Sequence, residues 1–168
     1  MTQMQITYTG GLRCTLTHGP SGAVIQTDAP KDNQGQGAAF SPTDLATVSL
    51  GACMLTIMGI YARNHEVNID GTQVSVTKEM VAQPRRKISR IIVDMRLPAS
   101  VPAEKRQALE NAGRTCPVAE SLHSIAAVTH PVDLKVSATF VNEAPQSELG
   151  VRGIGQDKKR APGHRLLS

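Results

Sequence analysis

The strongest constraint on this chain is one stretch, Leu45 to Ala62 (LATVSLGACMLTIMGIYA), in which 18 consecutive residues carry no charge. Immediately before it stands Ser41-Pro42-Thr43-Asp44, which reads as a helix start. Ser can cap, Pro suits the first helical position because its missing N–H has no intrahelical partner to lose, and an acid follows three residues after the Ser. A helix is predicted from here to about Arg63, and its uncharged part is about 27 Å long at the usual rise per residue. That is close to the length of a bilayer span. Thr47, Ser49, Gly51, Thr56 and Gly59 interrupt the apolar run, and strand-like segments flank it, so the reading is a core helix of a soluble protein. A helix that is apolar all round must be covered on every side. One small sheet does not supply that cover, and the sequence therefore predicts a second subunit with an extensive dimer interface.

The segments around the helix alternate as strands do. Residues 3 to 8, 12 to 17 and 22 to 28 are separated by Gly-Gly and by His18-Gly19-Pro20-Ser21-Gly22, which predicts a small antiparallel meander. Ala29 to Gly37 has the composition of a loop, whose ends are expected near a site. Val74, Val76, Lys78 and Met80 share one face of a strand, and Ile91, Val93, Met95 and Leu97 share one face of the next. A turn near Gln83-Pro84-Arg85 joins them into a hairpin. Val101-Pro102-Ala103-Glu104 opens a second helix that ends near Gly113, and Cys116-Pro117 opens a third, short one. The last strand sets Val132, Leu134, Val136, Ala138 and Phe140 against Asp133, Lys135, Ser137 and Thr139. The predicted class is α+β, with antiparallel sheets around a long buried central helix.

At 168 residues and 17.9 kDa the chain suits one domain with its own core. The net charge of +4 suggests an anionic partner until its location is read. From Pro145 on, five basic residues face only Glu148 and Asp157, so residues 1–144 form a nearly neutral domain and 145–168 a basic tail. The tail is read as a disordered extension or an added, non-native segment. Tyr8, Phe40, Tyr61 and Phe140 are the only aromatic residues, too few for base-stacking platforms, so no nucleic-acid partner is expected. No membrane partner is expected either. The N-terminus lacks the pattern of a signal peptide, which predicts a cytoplasmic, reducing location.

Three cysteines, Cys14, Cys53 and Cys116, have 38 and 62 residues between them, which fits no zinc pattern. His18, His65, His123, His130 and His164 are scattered, and neither metal nor cofactor is expected. Cys116 precedes a Pro at a helix start, where free backbone N–H groups and the helix dipole favour a thiolate. Cys53 lies about 18 Å along its helix, beyond reach of the terminal dipole. By itself it reads as a small buried apolar residue. Cys14 reads as structural, and Arg85, Arg86, Lys87 and Arg90 read as solvated charge at a hairpin tip.

FSPTDLATVSLGACMLTIMGIYA followed some sixty residues later by RTCPVAESL resembles the OsmC/Ohr superfamily, the osmotically inducible and organic hydroperoxide resistance proteins. The resemblance covers roughly residues 2 to 142. It implies an OsmC-like fold, an intertwined homodimer with a site at each interface, and a thiol-dependent peroxidase in oxidative stress defence. Cys53 would attack an organic hydroperoxide to give a sulfenic acid, and Cys116 would resolve it as an intramolecular disulfide. A dithiol reductant, such as a dihydrolipoyl thiol, would reopen the disulfide. An apolar pocket around Cys53 would favour alkyl hydroperoxides.

The same resemblance asks for an Arg from the N-terminal strands and a Glu near the helix start to hold it. Arg13 is the only Arg before Arg63. The Glu is missing, because Thr43 occupies its position and Asp44 is rotated about 100° around the helix. Asp44 is either an alternative partner for Arg13 or only a cap. This departure keeps a second reading open, a non-enzymatic redox-sensing or small-molecule-binding homodimer of the same fold.

Overall fold

The computed structural model describes residues 1–122 and 133–141. The predicted boundary at residue 144, the basic tail, Val132, and the histidines at 123, 130 and 164 lie outside the described residues.

Strands β1 (Met4–Gly10), β2 (Arg13–His18) and β3 (Val24–Asp28) form the expected antiparallel meander in the order β1-β2-β3. The β1–β2 turn needs left-handed backbone at Gly10 and Gly11, with φ of 87° and 59°, which glycine adopts without steric penalty. A segment containing one 3-10 turn (Lys31–Asn33) leads into helix α1 (Pro42–Asn64). The predicted start is borne out. The Ser41 hydroxyl accepts from the Asp44 N–H at 3.1 Å, and the Ser41 N–H donates to Asp44 Oδ2 at 2.8 Å, closing a capping box around Pro at the first helical position.

Strands β4 (Gln73–Val81) and β5 (Lys87–Pro98) pair as the predicted antiparallel hairpin. Helix α2 (Ala103–Arg114) follows, residues 117–122 are helical, and β6 (Asp133–Val141) completes the order β4-β5-β6. The sheet is mixed, because β6 runs parallel to β5, with Val93 opposite Val136 and Met95 opposite Ala138. Alternation within a strand cannot reveal the direction of its neighbour. The chain between β5 and β6 carries α2 and the next helical turn, long enough for the crossover that parallel pairing requires.

The core lies where α1 and α2 meet this sheet. Leu50, Met54, Met58 and Ala62 form the buried stripe of α1, at spacings of four residues, and pack with Ile91, Val93, Met95 and Leu97 of β5 and Leu109 of α2. Gly51 lets the helix approach β4: a Cβ there would sit 2.7 Å from Val76 Cγ2 and 3.1 Å from Val74 Cγ1. Arg106 fixes the outer side of α2 by capping the Val101 and Ala99 carbonyls and lying 4.4 Å over the Phe140 ring.

Alpha-1 is not covered on every side within one chain. Ala46, Ser49, Ala52, Thr56 and Ile60 remain exposed along its other face. Alpha-1 is long and apolar enough to cross a bilayer, yet its buried stripe packs on a sheet and a second helix, as the core helix of a soluble domain does.

Candidate active site

Packing of α2 on α1 determines where the second sulfur arrives. Gly113, near the end of α2, is tight against Met58, since a Cβ there would be 2.9 Å from Met58 Sδ. The chain leaves α2 at Thr115 and delivers Cys116 into the core, fully buried and beside the Cys53 side chain. Two cysteines with 62 residues between them in the sequence thus meet at the α1–α2 junction. Cys53 is half-buried on the edge of the α1 stripe, so one sulfur of the pair is sealed and the other is partly open.

Cys116 occupies the predicted cap position. Its Sγ accepts from the Ala119 N–H at 3.4 Å, and its carbonyl accepts from the Glu120 N–H at 3.1 Å. The expected thiolate is overturned. Burial pushes the Cys116 thiol up, the Ala119 N–H only partly opposes this, and the neighbouring Cys53 sulfur raises it further. A single turn of N–H donors does not compensate for the loss of water around a sealed sulfur.

The other predicted residues fall into two separate groups. Asp44 points back over the helix start. Its Oδ2 accepts from the Ser41 hydroxyl at 2.7 Å, and its Oδ1 meets Lys78 Nζ at 2.5 Å. Burial pushes the Asp44 carboxyl up, but Lys78 and the Ser41 hydroxyl and N–H outweigh it and hold the group below its usual value. Thr43, at the position of the missing Glu, receives Lys78 Nζ at 2.8 Å. Within the chain, then, the Asp44 carboxylate is used by the cap and by Lys78.

Arg13 lies on β2 directly opposite Asp28 of β3. Its Nη2 donates to Gln36 Oε1 at 2.7 Å, and its Nε is 3.7 Å from Asp28 Oδ1. The sheet that carries Arg13 leaves the whole side of β1 open, with Ile6 67% and Tyr8 64% exposed. Cys14, one residue on, faces the other way, into a crevice of about 440 Å³ with Tyr8, Thr27, Met80 and Arg86. The hairpin-tip cations are not simply solvated: Arg86 pairs with Asp32 at 2.9 Å and Arg90 with Glu79 at 3.1 Å.

Lys78 is the participant that sequence reasoning did not single out. A lysine in inward register with Val74, Val76 and Met80 was the available signal, since such a position demands a counter-charge. Lys78 and Asp44 also join Phe40, Val48, Val74 and Val76 in the wall of a cavity of about 740 Å³, which neither Cys53 nor Cys116 lines. Among the described residues, no group of three or more His, Cys, Asp or Glu could hold a metal ion.

A protein-family model described as OsmC-like protein matches residues 35–130. Of the solved structures that resemble the chain, one from Psychrobacter arcticus, described as an osmotic stress induced and detoxification response protein, is 43% identical. It covers 83% of this chain and 96% of its own, with a TM-score of 0.73. An OsmC-like protein from Mycoplasma pneumoniae is 16% identical over 84% and 98%, with a TM-score of 0.70. An organic hydroperoxide resistance protein OsmC from Legionella pneumophila is 17% identical over 83% and 96%, with a TM-score of 0.63. These two share the fold. Comparison with curated proteins finds no match. The capped apolar helix with its cysteine, the buried second cysteine and the family match over residues 35–130 agree, and the chain belongs to the OsmC-like protein family.

Proposed function

We propose that the chain is a thiol-dependent peroxidase for organic hydroperoxides, acting in oxidative stress defence in the cytoplasm. The observation that supports this most is the sulfur pair: one half-open thiol against one sealed, protonated thiol. Family relatives named for organic hydroperoxide resistance, from Legionella pneumophila and Elizabethkingia anophelis, give the substrate class its motive.

In the proposed cycle the Cys53 thiolate attacks the distal oxygen of ROOH. The O–O bond breaks, the leaving alkoxide takes a proton and departs as ROH, and Cys53 becomes a sulfenic acid. The Cys116 sulfur then attacks the Cys53 sulfur, an S–S bond forms, and the sulfenic oxygen leaves as water with the Cys116 proton. A dithiol reductant, of which a dihydrolipoyl group is one example, returns both thiols and is itself oxidised to a disulfide.

The working form is a homodimer. The open face of α1 and the exposed apolar residues Met4, Ile6 and Tyr8 of β1 are the surfaces a second copy would cover. Arg13 lies on β2, and no residue of β1–β3 belongs to the core cluster that holds Cys53 and Cys116, so its guanidinium would serve the partner's thiolate across the interface. Asp44, held by Lys78, fixes the helix start, and its contribution is positional.

A second reading, a small-molecule-binding or redox-sensing homodimer, is favoured by the cavity of about 740 Å³ that neither sulfur lines. One assay separates the two. Consumption of cumene hydroperoxide with a dithiol reductant should stop in Cys53→Ser, and Cys116→Ser should abolish the intramolecular disulfide. Equal, slow rates in parent and both variants would support binding or sensing instead.

A further inference from the structure

Asp28 is the least explained charged group in the described structure. Its side chain is 1% exposed, at the last position of β3. One oxygen is accounted for: Oδ2 accepts from the Ala38 N–H at 2.8 Å. The other, Oδ1, is buried and has no hydrogen-bond partner. Buried carboxylate oxygens without partners are rare because each forfeits its hydration. The carboxyl is nonetheless held below its usual value, chiefly by the Ala38 N–H, against burial and with help from Arg13.

Sheet register supplies the missing charge. Arg13 and Asp28 are directly opposed across β2 and β3, so their side chains rise from the same face, and Arg13 Nε stands 3.7 Å from Oδ1. Gln36 holds the far end of the guanidinium at 2.7 Å. The side chain of Arg13 is 43% exposed, so a cation held on two sides still presents an edge outward. The same carboxylate also holds Ala38, a residue in the wall of the cavity of about 740 Å³. One group therefore ties the cation to the segment that enters α1.

We infer that Asp28, with Gln36, is the positioning device for Arg13: it aims the guanidinium at the reacting peroxide and thiolate in a chain whose helix start offers no glutamate for the purpose. This rests on the peroxidase reading and adds to it residues outside the sulfur pair. Asp28 does not touch substrate. It acts by restricting where Arg13 can point, and misplacing a group of that kind costs rate more than binding.

The test is a double-mutant cycle on the full chain, measured as steady-state kinetics with cumene hydroperoxide and a dithiol reductant. Asp28→Asn keeps an oxygen for the Ala38 N–H and removes the charge facing Arg13. It should lower kcat by about tenfold and leave KM within about twofold. Gln36→Ala, on an exposed segment that does not threaten folding, should lower kcat by about twofold to threefold. In an Arg13→Gln background neither change should cost anything further, because the group they position is gone. Equal losses with and without Arg13 would show that Asp28 and Gln36 merely hold the fold, and would overturn the inference while the peroxidase reading stood. An Asp28→Asn or Gln36→Ala enzyme with parental kcat would do the same. If Asp28→Asn does not fold, the Gln36→Ala arm decides alone. A parent chain that does not consume the hydroperoxide, with Cys53→Ser no different, overturns both.

Discussion

Alkylation kinetics provide a direct measure of the two sulfurs. Because Cys116 is buried and its thiol is held above its ordinary value, iodoacetamide at pH 7 should modify Cys53 well before Cys116. Peptide mass mapping over time checks this, and faster labelling of Cys116 would contradict it. The charge at the helix start has its own pH signature. Asp44 titrates lower in the folded chain than in the unfolded one, so the stability it contributes is present above the usual carboxyl value of 3.8 and is lost as pH falls through the lower folded value. Lys78→Met should therefore reduce stability at pH 7 by roughly 1 kcal/mol, solvent screening of the half-open Asp44 included, and the difference should shrink toward pH 3. Urea melts at the two pH values measure it. At this scale the cap was readable as a local pattern of residue types, whereas the pairing of Cys53 with Cys116 was implied only by the resemblance to a family, because Cys53 by itself reads as an apolar core residue. The partners of Arg13, Asp44 and Lys78 were not. They are set by register between strands and by what the 29–40 segment brings alongside, neither of which leaves a mark in residue spacing.

Among the elements, the close approach of α1 to β4 is the most demanding contact. Gly51→Ala would place a methyl 2.7 Å from a branched valine carbon that has little freedom to move, and should cost about 1 to 3 kcal/mol. Ala at Gly113 faces the flexible Met58 thioether and should be better tolerated. Ser41→Ala removes the acceptor for the Asp44 N–H and a contact of Lys78, and about 1 to 2 kcal/mol of helix stability should go with it. Thermal melts of the three variants rank these contacts. The strands and helices followed from hydrophobic period and capping residues, with ends displaced by a residue or two, as in 3–8 against the observed Met4–Gly10. The parallel pairing of β6 did not, because residues such as Val136 and Ala138 would alternate in the same way beside a neighbour of either direction.

For the whole molecule, the uncharged helix says more about assembly than about the single chain. Its buried stripe accounts for one face, while Ser49, Ala52, Thr56 and Ile60 on the other, together with Ile6 on β1, await cover. Light scattering on the parent should give twice the mass of 17.9 kDa, and Ile6→Asp with Ile60→Glu should shift it toward one chain. The meeting of the two sulfurs carries a thermodynamic corollary as well. Linking Cys53 to Cys116 would close a ring around the 62 residues between them, which include β4, β5 and α2. Restricting the unfolded ensemble over a ring of that size is worth up to about 4 kcal/mol. Oxidant-treated protein should thus melt several degrees above the reduced form, so that the oxidation state of the molecule could be followed by heat alone.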